Sequence, residues 1–264
     1  MRYVAGIEYD GSAYSGWQRQ PFLLSTIQTQ VEQALSQVAN HEVEVVCAGR
    51  TDAGVHALEQ VIHFDTNANR TSYAWLAGTN RYLPPDIRLQ WVQSVAQNFD
   101  ARRSAQWREY CYCIAHGGQP SALWRKRRYW HRYSLNAQKM HEAAQVLCGE
   151  HDFSAFRAAD CQSITPWRFI ESITVRALNA HLLVVEIRGN AFLHHMVRNI
   201  VGTLLAVGDE REPVQWVAQV LASRSRAQAG VTAPAHGLYF KKVGYGAEFN
   251  LPLYRSALVD WLGG

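Results

Sequence analysis

The chain has no uninterrupted apolar run long enough to cross a bilayer, which excludes a helical membrane protein of the ordinary kind. It has no cysteine pair in C-x-x-C spacing, and its five cysteines, Cys47, Cys111, Cys113, Cys148 and Cys161, are an odd number. That argues against both a disulfide framework and a cysteine-held zinc site. Cys111 and Cys113 share one face of a strand pattern and are expected to pack as buried thiols. The eleven histidines are scattered, and His194-His195 lacks the i, i+4 spacing of a helical metal pair. No metal is therefore expected. The opening Met1-Arg2-Tyr3-Val4 runs directly into a strand without a signal-peptide pattern, so the expected location is the cytoplasm. Charged residues make up only 18% against 48% hydrophobic, the balance of a folded globular chain rather than a disordered one.

Charge is sparse overall but locally dense. The net charge is only +4, yet residues 124–133 place five cations, Arg125, Lys126, Arg127, Arg128 and Arg132, among the aromatics Trp124, Tyr129, Trp130 and Tyr133. Cations interleaved with aromatic rings suit a polyanion whose bases can also stack. The alternative is a solvated surface loop with snorkelling side chains.

The 264 residues suffice for one large domain or two modest ones, and the patterning favours two. A strand near 2–9 leads to a helix near 26–39, where Ser25 and Gln28 match a capping box and Ile27, Val31, Leu35 and Val38 share a face. Strands follow near 42–48 and 57–65, then a helix near 71–80, a break at Leu83-Pro84-Pro85-Asp86, and a strand near 87–95. The order recurs with a strand near 108–116, a helix near 136–148 whose inner face carries Met140, Ala143, Ala144 and Leu147, and strands near 170–177 and 182–188. Helices near 192–206 and 213–222 and a strand near 238–243 complete it. The expected fold is α+β, two tandem ferredoxin-like or RRM-like halves, residues 1–100 and 101–264. Their sheets are expected to join with helices on one side and a central RNA-binding cleft on the other. The unit is common to RNA-binding modules and does not by itself imply catalysis.

Between two strands lies Gly49-Arg50-Thr51-Asp52-Ala53-Gly54-Val55-His56. Two glycines five apart permit a sharp turn, and Arg50 and Asp52 stand two residues apart within it. A carboxylate on a tight inter-strand turn can act as nucleophile or general base; alternatively, Asp and Thr there merely cap backbone groups. The string resembles the active-site motif of the TruA family of tRNA pseudouridine synthases. The resemblance extends in order through 6–12 (GIEYDGS), 16–20 (GWQRQ), 26–28 (TIQ), 99–102 (FDAR), 161–163 (CQS), 166–168 (PWR) and 190–202 (NAFLHHMVRNIVG).

It implies the pseudouridine synthase fold and a reaction that detaches uracil and reattaches it through carbon, with neither cofactor nor metal. It makes Asp52 the catalytic carboxylate, whether by attack on base or sugar or by removal of a sugar proton. Arg198 matches the arginine that pairs with it; an adjacent guanidinium favours the charged form of a desolvated carboxylate, and arginine keeps its own proton. Without the resemblance, Arg198 reads as a helix-surface residue. Tyr110 matches the tyrosine that stacks on the flipped base, where an aromatic face replaces about 1–3 kcal/mol of stacking; otherwise it packs in the sheet. Arg50 is implied beside a substrate phosphate or as a brace for the turn. Arg168 joins Arg50 and Tyr110 as a substrate-binding residue, while Gly49 and Gly54 are assigned to loop geometry. Departures from relatives occur at Glu109, Cys111 and Ile164, where basic residues are usual.

The implied substrate is tRNA, at uridines 38, 39 and 40 of the anticodon stem-loop, read mainly through backbone shape and charge. The implied assembly is a homodimer, to which the helix near Trp216 and the apolar tail Leu251 to Leu262 would contribute. Two other readings fit parts of the pattern: an RNA-binding or tRNA-folding module without catalysis, and a synthase acting on another RNA.

Overall fold

The computed structural model describes residues 1–20 and 25–252; the apolar tail invoked for a dimer lies, from residue 253 on, outside the described residues. The chain is α+β, and its described residues pack as two compact units, one from the segment up to Arg108 with the stretch from Tyr239 on, the other from residues 109–238. No helix among the described residues is long and apolar enough to cross a membrane.

In the first unit β1 (Arg2–Tyr9) lies between β3 (His56–Asp65) and β4 (Ile87–Val95), antiparallel to both. On the outer edge of β3, β2 (Val45–Cys47) pairs antiparallel with Ile62–Phe64 and β10 (Leu238–Tyr245) pairs parallel with His56 and Ala57. Helix α1 (Ile27–Ala39) buries Ile27, Val31 and Leu35, one side chain per turn at helical spacing, each contributing about 1.5–3 kcal/mol. Thr26, not Ser25, caps it: the Thr26 side chain accepts from Thr29 N–H, while Ser25 Oγ donates to the Ala13 carbonyl. The expected capping box fails because Gln28 is engaged elsewhere, its Oε1 accepting from Arg19 N–H. Asn40 ends the helix in the left-handed region at φ 59. Helix α2 (Ser72–Tyr82) touches α1 where Gly78 faces Val38, and its fully buried Trp75 packs on the rings of Tyr3 and Phe64.

In the second unit the strand order is β5 (Ala105–His116), β9 (Leu182–Gly189), β8 (Trp167–Asn179), β7 (Gly149–Asp152). Short β6 (Tyr129–His131) runs parallel to the end of β5. Helices α3 (Ala137–Ala144), α4 (Met196–Gly208) and α5 (Trp216–Ser223) complete it. The expected inner face of α3, Met140, Ala143 and Ala144, is fully buried, with Leu147 in the 3-10 turn that continues it. Cys111 and Cys113 are both buried, the packed state expected of them.

Glu59 lies on β3 and is buried at 7% exposure. Burial pushes its carboxyl up from 4.5 to about 7, with Lys242 opposing. The folded chain therefore binds a proton between pH 4.5 and about 7 that the unfolded chain has released. Stability from this residue is complete below the lower value and falls as pH rises through that window. Glu59→Gln is expected to flatten the pH dependence of urea unfolding between pH 5 and 7 and to exceed the native chain's stability at pH 8. An unchanged slope would place the titration elsewhere.

Candidate active site

The turn that carries Asp52 is fastened from several sides. At its base, Ala48 N–H bonds the Val61 carbonyl, and the Ala48 carbonyl accepts from Arg108 Nε and Nη2 at 3.2 and 3.1 Å. Gln60, fully buried on β3, accepts from Gly49 N–H and donates to the Gly49 carbonyl. The Thr51 carbonyl accepts from Trp17 N–H at 2.9 Å, and Thr51 Oγ1 lies 2.8 Å from the hydroxyl of buried Tyr9. Val55 N–H closes the turn onto the Asp52 carbonyl at 3.1 Å, with Gly54 inside it at φ 78, the left-handed region that favours glycine.

Residues 10–17 lie directly against this turn. A Cβ on Gly11 would overlap the Val55 carbonyl oxygen, and one on Gly16 would come within 2.8 Å of the Thr51 carbonyl oxygen. The early glycines and the turn therefore form one object, in which main-chain atoms touch. Asp52 is half-buried and Arg50 exposed, so the backbone is fixed while both side chains reach the surface. Fixing the backbone around a carboxylate is what a positioned nucleophile or base requires, because catalysis depends on reacting atoms held in line.

The remaining expected site residues belong to the second unit. Tyr110 on β5 is 9% exposed and meets the Phe192 ring edge-on, centroids 5.0 Å apart at 80°. Two residues along the strand, fully buried Tyr112 donates to the Pro234 carbonyl at 2.7 Å. Burial raises the Tyr112 phenol well above its ordinary value, the Arg198 cation acting in the opposite direction. Arg198, half-buried in the first turn of α4, donates through Nε to the Ala233 carbonyl at 2.8 Å, and Ala233 N–H returns a bond to the Arg198 carbonyl at 3.1 Å. The guanidinium is thus aimed by its own helix and by the 230–233 segment together.

Sequence reasoning missed the partners that make this possible. Asn199, fully buried, donates to the Phe156 carbonyl at 2.8 Å and accepts from Thr232 Oγ1 at 2.7 Å. Thr203 Oγ1 donates to the Asn199 carbonyl and accepts from Gly230 N–H. A Cβ on Gly202 would overlap the Val231 carbonyl oxygen, so only glycine lets the 230–233 segment lie on the helix. Two polar residues and a glycine inside an otherwise apolar helix, Asn199-Ile200-Val201-Gly202-Thr203, were the available signal.

Arg168, at the start of β8, bonds mostly to its own loop: Nη1 donates to the Thr165 and Trp167 carbonyls and Nη2 to Ser163 Oγ. Arg157 does the same from the other side, donating to the Cys161 and Ser163 carbonyls. Ile164 at the tip is fully exposed, and Cys111 is buried where a cation would lose its hydration.

Comparison with known proteins agrees with this assembly of motifs. The profile of the family described as tRNA pseudouridine synthase matches residues 5–102 and 143–246. The chain is 53% identical to tRNA pseudouridine synthase A of Aeromonas hydrophila over 253 residues, 96% of this chain and 93% of that one. Identity is 51% over 252 residues to the protein of the same name from Actinobacillus pleuropneumoniae, covering 96% and 95% of the two chains. It is 49% over 255 residues to that of Buchnera aphidicola, covering 97% and 94%. The chain belongs to the tRNA pseudouridine synthase family.

Proposed function

We propose that the protein isomerises uridine to pseudouridine at positions 38, 39 and 40 of the tRNA anticodon stem-loop, with Asp52 as the essential carboxylate. The observation that carries this reading is the braced Gly49–Gly54 turn, presenting a half-buried carboxylate, in a chain of this family. Arg198 is the fixed cation that keeps Asp52 ionised once the target nucleotide has displaced water. Tyr110 supplies the face on which the flipped uracil stacks; its edge-on contact with Phe192 supports the ring in one orientation. Arg50 reaches a phosphate beside the target. Arg168 acts on the substrate through the 163–167 loop that it shapes. The two compact units, rather than a simple division at residue 100, serve as the two halves of the RNA-binding surface, two copies of the chain act together, and the work is done in the cytoplasm, where tRNA is available.

The test is pseudouridine mapping on unmodified tRNA with uridines at 38 to 40. Product at those positions is expected. Binding without product would favour an RNA-binding module, and product only on another RNA would redirect the substrate. Light scattering is expected to give twice the mass of one chain; a clean monomer would remove the dimer from the reading.

A further inference from the structure

Between Tyr110 and His141 the chain contains no aspartate or glutamate but six of its cations: Arg125, Lys126, Arg127, Arg128, Arg132 and Lys139. Their charge of +6 exceeds the +4 of the whole molecule, so everything outside this stretch sums to −2. The stretch also falls between the two segments matched by the family profile.

Its middle is an anchored turn. Arg127 and Arg128 N–H both bond the Trp124 carbonyl, at 2.9 and 3.1 Å, and the Arg128 guanidinium lies over the Trp124 ring at 4.2 Å. Behind the turn, β6 pairs with β5 over Tyr129–His131. Trp130 Nε1 donates to the Gly117 carbonyl, and His131 lies 3.1 Å from Asp209. Arg128 holds the turn by a cation–π contact, Arg125 Nη1 donates to the Ala122 carbonyl at 2.8 Å, and Arg125, Lys126 and Arg127 are exposed along it. A short run of exposed cations on a fixed turn pre-pays part of the ordering that flexible lysines and arginines would otherwise lose on binding.

We infer that Arg125, Lys126 and Arg127 form a phosphate-binding clamp for the backbone of the substrate RNA. The inference rests on the tRNA-modifying reading above. The turn leads into β6 at Tyr129, which pairs in parallel with Ile114, four residues or about 13 Å along β5 from Tyr110 at 3.3–3.4 Å per residue. Backbone phosphate contacts set register and affinity without reading sequence, which suits a surface that accepts tRNAs of unlike sequence.

The experiment measures tRNA affinity of the full chain against salt concentration, with steady-state pseudouridine formation alongside. For Arg125→Ala/Lys126→Ala/Arg127→Ala, the slope of log affinity against log salt is expected to become shallower by about 2 to 3, since each phosphate contact contributes about 0.7–0.9. KM is expected to rise at least about tenfold near 0.15 M salt while kcat stays within about twofold, because the counterion-release contribution is lost from binding and not from the chemical step. Arg125→Lys/Arg127→Lys retains the charge and is expected to keep the native slope. An unchanged slope in the alanine variant would overturn the clamp, as would an equal loss in the lysine variant, which would mean a structural role. Should the native chain bind tRNA with a cluster-dependent slope yet form no pseudouridine, the enzymatic reading fails and the clamp stands.

Discussion

Asp52→Asn is expected to abolish pseudouridine formation while leaving tRNA affinity within a few-fold of the native chain. Asparagine keeps the size and shape of the side chain but can neither attack as an anion nor accept a proton. Losing general-base or nucleophilic function costs about 10²–10⁴-fold or more, and here no second carboxylate is offered by the turn, whose other side chains are Arg50, Thr51 and Ala53. The fold should tolerate the change. The bonds that fasten the turn come from Ala48, Gly49, Thr51, Gly54 and the Asp52 backbone carbonyl, not from the carboxylate alone. Single-turnover mapping beside a filter-binding titration separates the two effects. Residual isomerisation within tenfold of native would move the catalytic role away from Asp52, and a collapse of binding together with activity would make Asp52 a structural residue.

How much of this was legible beforehand differs between main chain and side chain. The repeated β-α-β pattern and the helical faces were readable because period-2 and period-3.6 spacing follow directly from where buried side chains must point. Two strands escaped. Tyr129–His131 sits inside the basic cluster, where charge hides any alternation, and Gly149–Asp152 is polar throughout; each is held by pairing to a neighbour, not by its own pattern. The capping box at Ser25 misled for a related reason. Its residues were correct for the motif, but contacts with Ala13 and Arg19 from outside the helix claimed them first.

The site divides in the same way. Asp52 could be named from the turn and Arg198 from the family resemblance. Gln60, Tyr9 and Arg108, which bond the turn from 11 or more residues away, carry no local signature. A polar residue in an apolar run announces only that it has a partner, not which one. Arg168 was named through the family resemblance, and the bonds of its guanidinium to the carbonyls of its own loop carry no sequence signature.

Asn199→Ala is expected to lower stability by about 2–4 kcal/mol and to impair catalysis through its neighbour. The native side chain is wholly buried and satisfies the carbonyl of fully buried Phe156 and the hydroxyl of Thr232. Truncation leaves the Phe156 carbonyl without its donor, at about 1–3 kcal/mol for an unsatisfied buried group, and adds the cost of a small cavity. Thr232 is only half-buried and also receives a bond from Arg226, so its loss is the smaller part. For a chain of this length, each kcal/mol corresponds to roughly 2–4 °C in Tm. The same contact ties α4 to the 230–233 segment whose Ala233 carbonyl aims Arg198, so the turnover rate should fall by more than the lost folded fraction accounts for. Asn199→Asp separates the two bonds, because a carboxylate accepts but cannot donate to the Phe156 carbonyl. It is expected to destabilise at neutral pH and to recover partly in acid, where a protonated carboxyl regains a donor. A melting temperature within about 2 °C of native for Asn199→Ala would mean that the 230–233 segment holds its position without this bond, and that Arg198 is aimed by Ala233 alone.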